Sequence, residues 1–138
     1  MINVIVDTNI VFSAILNSSS RIGKVLLNSR GVFHFVSCKY IIAEIDSHLI
    51  KLQNLIGLEL AELNEIINSI TGRINLISEE FISKVNIIEA ERLTTDVDYN
   101  DLLFIGLAIE LKGRLWTGDK KLINGLAKKG FNQFVTTA

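Results

Sequence analysis

Short β-branched runs that give way at once to helical spacing, again and again along the chain, restrict this sequence to few folds. Ile2-Asn3-Val4-Ile5-Val6 contains no breaker and reads as a buried strand ending at Asp7. Val11-Phe12 and Ala14-Ile15-Leu16 then recur at helical spacing as far as Asn17-Ser18-Ser19-Ser20, and a second helical stretch runs from Ile22 through Leu27 to a stop at Gly31. Val32 to Val36 is the next strand, with Ser37 placed to cap a helix over Lys39 to Leu52. Leu58 to Ile70 has an amphipathic helical pattern, Ile74 to Ile77 suits a short strand, and Ser83 to Leu93 suits another helix. A polar loop from Thr94 to Asn100 leads to Asp101, which opens Leu102 to Ile109, a helix apolar on every side and therefore buried. Arg114 to Thr117 reads as a strand ending in Gly118-Asp119, Lys120 to Lys129 as a helix stopped by Gly130, and Phe131 to Val135 as an edge strand. Strands alternating with helices predict an α/β fold with a central parallel sheet covered by helices on both faces. In such sheets ligands sit beyond the carboxyl ends of the strands, where chain direction switches. The 138 residues suffice for one domain, 1–138, and not for two cores.

Composition narrows the function. Hydrophobic residues make up 49% of the chain and charged residues 21%, which excludes a disordered chain. The uncharged stretches are cut by Asn, Ser and Gly short of the ~20 apolar residues that a bilayer span requires. The amino terminus lacks the basic region of a signal peptide, and one cysteine cannot form an internal disulfide, so a cytoplasmic protein without membrane contact is expected. Fourteen basic against fifteen acidic residues give a net charge of −1. A basic coat for nucleic acid is thereby excluded; binding of RNA or DNA has to use a local patch or a metal.

Three acids stand where the fold expects a ligand. Asp7 is the only charged residue among the first twenty and closes the most apolar strand, where an unpaired carboxylate is costly. Asp119 follows the strand Leu115 to Thr117 across a single glycine, and Asp101 opens the all-apolar helix. Each is also a good helix cap, and capping alone would explain any one of them. Converging on one crevice, they would form an oxygen cage for a hard divalent ion. A fourth acid is expected from the helix over 39–52. Its inward stripe of Ile41, Ile45, Leu49 and Leu52 leaves Glu44, beside His48, on one margin and Asp46 on the other. Helical geometry does not choose between them, and both fit a solvated flank.

Four stretches in order resemble the PIN domain family, the metal-dependent nuclease fold of VapC-type toxins. They are Ile5-Val6-Asp7-Thr8-Asn9-Ile10-Val11-Phe12-Ser13, then Ser37-Cys38-Lys39-Tyr40-Ile41-Ile42-Ala43-Glu44, then Asp98-Tyr99-Asn100-Asp101 with its helix through Ala108, and Leu115-Trp116-Thr117-Gly118-Asp119-Lys120-Lys121-Leu122. The resemblance covers nearly the whole chain and selects Glu44 over Asp46 and Asp101 over Asp98. The acidic loop is thinner than the family's, and Leu102-Leu103 stand where acid and Pro are common.

The resemblance implies a ribonuclease that uses Mg2+ or Mn2+ and hydrolyses phosphodiesters by in-line attack of an activated water. Asp7 and Asp101 would ligate the metal, while Glu44 and Asp119 would act as further ligands, orienters or positioners of water. Asn9, Ser13 and Thr117 are polar neighbours able to hold the acids' rotamers, or to cap their own turns. Arg21 with Lys24, and Lys120 with Lys121, are candidates for substrate phosphate, with ordinary solvated surface as the plainer reading. Trp116 and Phe104 read as core, Cys38 and His34 as structural, and His48 as the one histidine placed near the metal. The resemblance further implies a protein antitoxin, a homodimer and RNA in preference to DNA. A haloacid-dehalogenase-like phosphatase is disfavoured because its second Asp is replaced here by Asn9. A receiver domain is disfavoured by the missing early acidic pair. The rival from another class is a PIN-like fold that binds RNA or protein without turnover.

Overall fold

A computed structural model describes residues 1–29, 31–95 and 101–136. Its five strands are β1 (Ile2–Val6), β2 (Phe33–Cys38), β3 (Asn75–Ile77), β4 (Arg114–Trp116) and β5 (Phe134–Val135). They pair in the order β3-β2-β1-β4-β5, every pair parallel, as the βα rhythm requires. The order reverses direction at β1, which places the expected crevice beyond the carboxyl ends of β1 and β4. The backbone N–H of Asp7 donates to the Trp116 carbonyl at 3.4 Å and ties those two ends together.

Eight α-helices lie within the described residues: α1 (Thr8–Leu16), α2 (Arg21–Asn28), α3 (Ile41–Ser47), α4 (Leu49–Ile56), α5 (Leu60–Thr71), α6 (Lys84–Thr94), α7 (Leu102–Leu111) and α8 (Lys120–Ala127). Register puts Val4, Phe35 and Trp116 on one side of the sheet and Ile5, Val36 and Leu115 on the other. The first side meets α2, whose Val25 shares a groove with Val4, Phe35 and Trp116. The second side is covered by α7, which packs on β1, β2 and β4 and is itself backed by α6. Ile105, Leu107 and Ala108 of α7 are buried, in keeping with a helix apolar all round. At the turn after α7, a Cβ on Gly113 would lie 2.7 Å from the Asn3 carbonyl oxygen, backbone that cannot yield, so this close approach to β1 demands glycine. No single helix among the described residues is long and apolar enough to cross a membrane.

Two expectations need correction, both around Ser37. This residue caps no helix: it sits inside β2, which runs on to Cys38, and its Oγ donates to the Val6 carbonyl at 2.6 Å. The strand continues because β3 pairs with it at Val36, Ser37 and Cys38, partners that are distant in sequence. Nor is there one helix over 39–52. The helix starts at Ile41 and breaks at His48, so α3 and α4 are separate. At the break the Glu44 carbonyl, which an unbroken helix would offer to the His48 N–H, is taken by Ser47 Oγ at 2.8 Å and His48 Nδ1 at 2.9 Å. Polar side chains competing for a helix carbonyl are a known cause of bending. The start of α3 is secured from afar, since Glu79 Oε1 accepts from the Tyr40 N–H at 2.8 Å. Glu79 lies in a 3-10 turn, Glu79–Phe81, that the sequence pattern did not suggest.

Smaller shifts follow the same logic. Thr94 belongs to α6 and not to a loop, its buried hydroxyl donating to the Ala90 carbonyl at 2.9 Å. The rest of the expected loop, residues 96–100, lies outside the described residues, apart from Thr95. Cys38 and His34 are structural, as expected. Burial pushes the Cys38 thiol up to about 12, and His34 Nδ1 lies 2.8 Å from Asn3 Oδ1.

Candidate active site

Past the carboxyl end of β1 opens a cavity of about 230 Å³ whose walls include the acids Asp7, Glu44 and Asp101. Thr8, Asn9, Phe12, Tyr40, His48 and Phe104 are the other described residues that line it. The three acids come from segments that the chain order separates widely: the end of β1, the middle of α3 and the start of α7.

Asp7 is almost fully buried. Its Oδ1 accepts from the Ile10 N–H at 2.9 Å and so caps α1. Capping and facing the cavity are therefore not alternatives for this residue. Burial raises its pKa above the ordinary value, and the charge of Asp119 adds to that. The Ile10 and Asn9 N–H groups and the Thr117 hydroxyl oppose the rise by stabilising the carboxylate.

Asp119 repeats the pattern one strand away. It caps α8 by accepting from the Leu122 N–H at 3.1 Å, while its own N–H donates to Thr117 Oγ1 at 3.1 Å. Thr117 is buried and touches both acids, a position that suits a holder of their rotamers and, through the Asp119 N–H, a cap of its own turn. Asp119 is exposed and does not line the cavity itself; it acts on Asp7 through charge. Asp101 occupies the N-cap position of α7 without a side-chain capping bond.

On α3, Glu44 lines the cavity, whereas Asp46 is exposed and does not. Tyr40 and His48 stand one turn to either side of Glu44, and both also face the cavity. Burial pushes the Tyr40 hydroxyl up to about 12, so it stays a proton donor at neutral pH. Thr8 Oγ1 is buried beside that hydroxyl, close enough to moderate the rise, and among the described residues it meets strict hydrogen-bond geometry with no group. Phe104 is buried, as expected of core, but its ring packs on Tyr40 with centroids 5.4 Å apart and forms part of the wall. Trp116 is core in full, packed on Phe35 at 5.8 Å.

Other expected site residues lie elsewhere. Asn9 reaches the cavity, but Ser13 is exposed on α1 and does not line it. Arg21 and Lys24 belong to a groove beside Val25 and Asn28, away from the acids. Lys120 and Lys121 are exposed and absent from the wall. Sequence reasoning passed over Phe12, Tyr40 and Thr8 as wall residues. The signal was present at one-turn spacing from Thr8 to Phe12 and from Tyr40 to Glu44 to His48.

The donors are carboxylate oxygens, the set preferred by magnesium or manganese. Among the described residues no three His, Cys, Asp or Glu side chains already stand close enough to grip one ion. An ion that keeps most of its waters and binds through one or two carboxylates fits this arrangement.

The PIN domain family profile matches residues 5–137. Among solved structures, the fold superposes on a chain from the crystal structure of VapBC2 from Rickettsia felis bound to a DNA fragment from their promoter. The TM-score is 0.70 at 18% identity, covering 97% of this chain and 98% of that one. No curated protein matches the sequence.

Proposed function

The chain belongs to the PIN domain family, and on that premise we propose that it is a divalent-metal-dependent endoribonuclease, the toxin of a toxin-antitoxin pair. What carries the reading is one cavity that gathers Asp7, Glu44 and Asp101 from three remote segments, with Asp119 within electrostatic reach of Asp7. Acids so gathered disfavour one another's ionisation, and a hard cation relieves that.

Asp7 and Asp101 would hold a magnesium or manganese ion; when bound, such an ion supplies an activated water and offsets charge building on the phosphate. Glu44, which lines the same cavity, would orient that water or complete the ligand set. Asp119 adds negative charge that strengthens the hold on a cation, and Thr117 keeps Asp7 and Asp119 in register. Hydrolysis adds water across one P–O bond and leaves one phosphate end and one hydroxyl end. No side chain need become covalently attached.

The VapBC2 neighbour, solved bound to a DNA fragment from their promoter, supports a protein antitoxin as partner here; RNA as substrate and a homodimer as the active assembly follow from the family resemblance and complete the proposal. The test is cleavage of mixed RNAs, with single-stranded DNA in parallel, in magnesium or manganese. Parent, Asp7→Asn and Asp101→Asn are compared with folding checked by circular dichroism. Cleavage by the parent alone, abolished by chelator, is the expected result. Equal activity in all three proteins, or robust turnover in chelator, refutes it, as does a parent that binds RNA without cutting it.

A further inference from the structure

The acid cavity has a second character that the carboxylates do not explain: much of its remaining wall is ring. Phe12 and His48 both line it, half-buried, with ring centroids 5.3 Å apart and planes tilted by 59°. Phe12 rises one turn after Thr8 on α1, and His48 one turn after Glu44 at the break between α3 and α4. The histidine ring is not loose. Its Nδ1 lies 2.9 Å from the Glu44 carbonyl and 3.0 Å from Ser47 Oγ, so backbone and side chain together set its plane.

What the wall lacks matters equally. Among the described residues no Lys or Arg lines this cavity. The four candidate phosphate-binding cations lie on another groove or on open surface. A nucleic acid entering here meets negative charge, and apart from a metal it has little to hold except ring faces. Aromatic faces bind bases without regard to sequence, because every base offers a π-face. They can do so only when the base is free of its duplex partner.

Resting on the nuclease reading above, we propose that the Phe12–His48 pair seats one nucleobase next to the phosphate that is cut. The helix break at His48 is then a functional feature, since an unbroken helix would leave the Glu44 carbonyl bonded to the His48 N–H and free the ring.

The test uses the full chain and short single-stranded RNA oligonucleotides, each carrying one 2-aminopurine moved along the sequence, with calcium as the divalent ion. Stacking quenches this fluorophore. Quenching is expected at one position relative to the bound end, lost in Phe12→Ala and His48→Ala and kept in Phe12→Tyr. His48→Gln, which removes the ring but keeps a group able to reach the Glu44 carbonyl, covers the case in which an alanine variant fails to fold. A duplex of the same sequence should bind about tenfold more weakly. Binding without position-specific quenching, quenching untouched by His48→Gln and Phe12→Ala, or no binding at all overturns the base seat. Cleavage of the same oligonucleotides in magnesium is scored separately. Cleavage without quenching removes the seat and leaves the nuclease standing; quenching without cleavage keeps the seat and removes the nuclease.

Discussion

The two sides of the acid cavity are built by different means. On the strand side, Asp7 and Asp119 are fixed by their own neighbours, each accepting an N–H three residues on, and the strand ends they close are joined through Asp7 N–H and Trp116. On the helix side, Tyr40, Glu44 and His48 depend on Glu79, more than thirty residues away, and on side chains that break their own helix. The strand side thus rests on local caps and buried strand ends. The helix side rests on a longer-range contact and on its own polar side chains.

The sharpest way to probe the strand side is Asp7→Asn. RNA cleavage should fall to background while, in chelator, the thermal midpoint at neutral pH rises, because Asn still caps α1 and no buried charge remains. The sign follows from the raised pKa of Asp7. A group whose folded pKa lies above its unfolded value stabilises the fold at pH below the unfolded value, and that contribution is lost as pH climbs through the folded one. The stabilisation of the variant over the parent should therefore vanish near and below pH 3.8, the ordinary value for this group, and grow above it. Thermal melts from pH 3 to 8 check this; a variant destabilised throughout would contradict the buried-charge account.

Thr117→Val comes next. It deletes a hydroxyl that touches both strand-side acids, so cleavage should drop by about 10- to 100-fold, as when outer partners of metal ligands are removed. Carbon-detected titration of metal-free protein should show the Asp7 pKa moving further up, a shift that a purely structural defect would not produce.

The helix side should respond less. Glu79→Ala removes the acceptor at the start of α3 and should cost about 1 kcal/mol in urea unfolding. Glu79→Gln, which keeps an oxygen acceptor, should recover most of that loss. If Glu79→Ala were as damaging to cleavage as Thr117→Val, the contrast between the two sides would fail. Smallest of all is Ser47→Ala, expected within about 0.5 kcal/mol of the parent, because His48 Nδ1 still satisfies the Glu44 carbonyl.

The same contrast explains what could be read in advance. Asp7 and Asp119 were legible as strand-end acids because the motif that places them is contiguous, strand then cap then helix. Helix α7 was legible as buried because it is apolar on every face. The single helix over 39–52 was misread because its break is set by side chains competing for one carbonyl and by a carboxylate from a distant turn. Ser37 was misread as a cap because a serine before a helical pattern looks the same whether or not a strand pairs beside it. Arg21 and Lys24 seemed near the acids only along the chain; the helix that carries them packs beside Val4, Phe35 and Trp116.

By itself the sequence determined the parallel α/β order, the burial of its strands and the identity of the acids at their ends. Periodicity, caps and apolar runs act over a few residues and need no partner to be recognised. Helical spacing left Glu44 and Asp46 level, a choice that only the four-motif resemblance or the fold itself could make; only the tertiary structure decided that Asp119 acts on Asp7 from outside the cavity, and that Phe12 and His48 meet. Those outcomes depend on how elements far apart in the chain pack on the sheet, and spacing along one helix cannot supply that information.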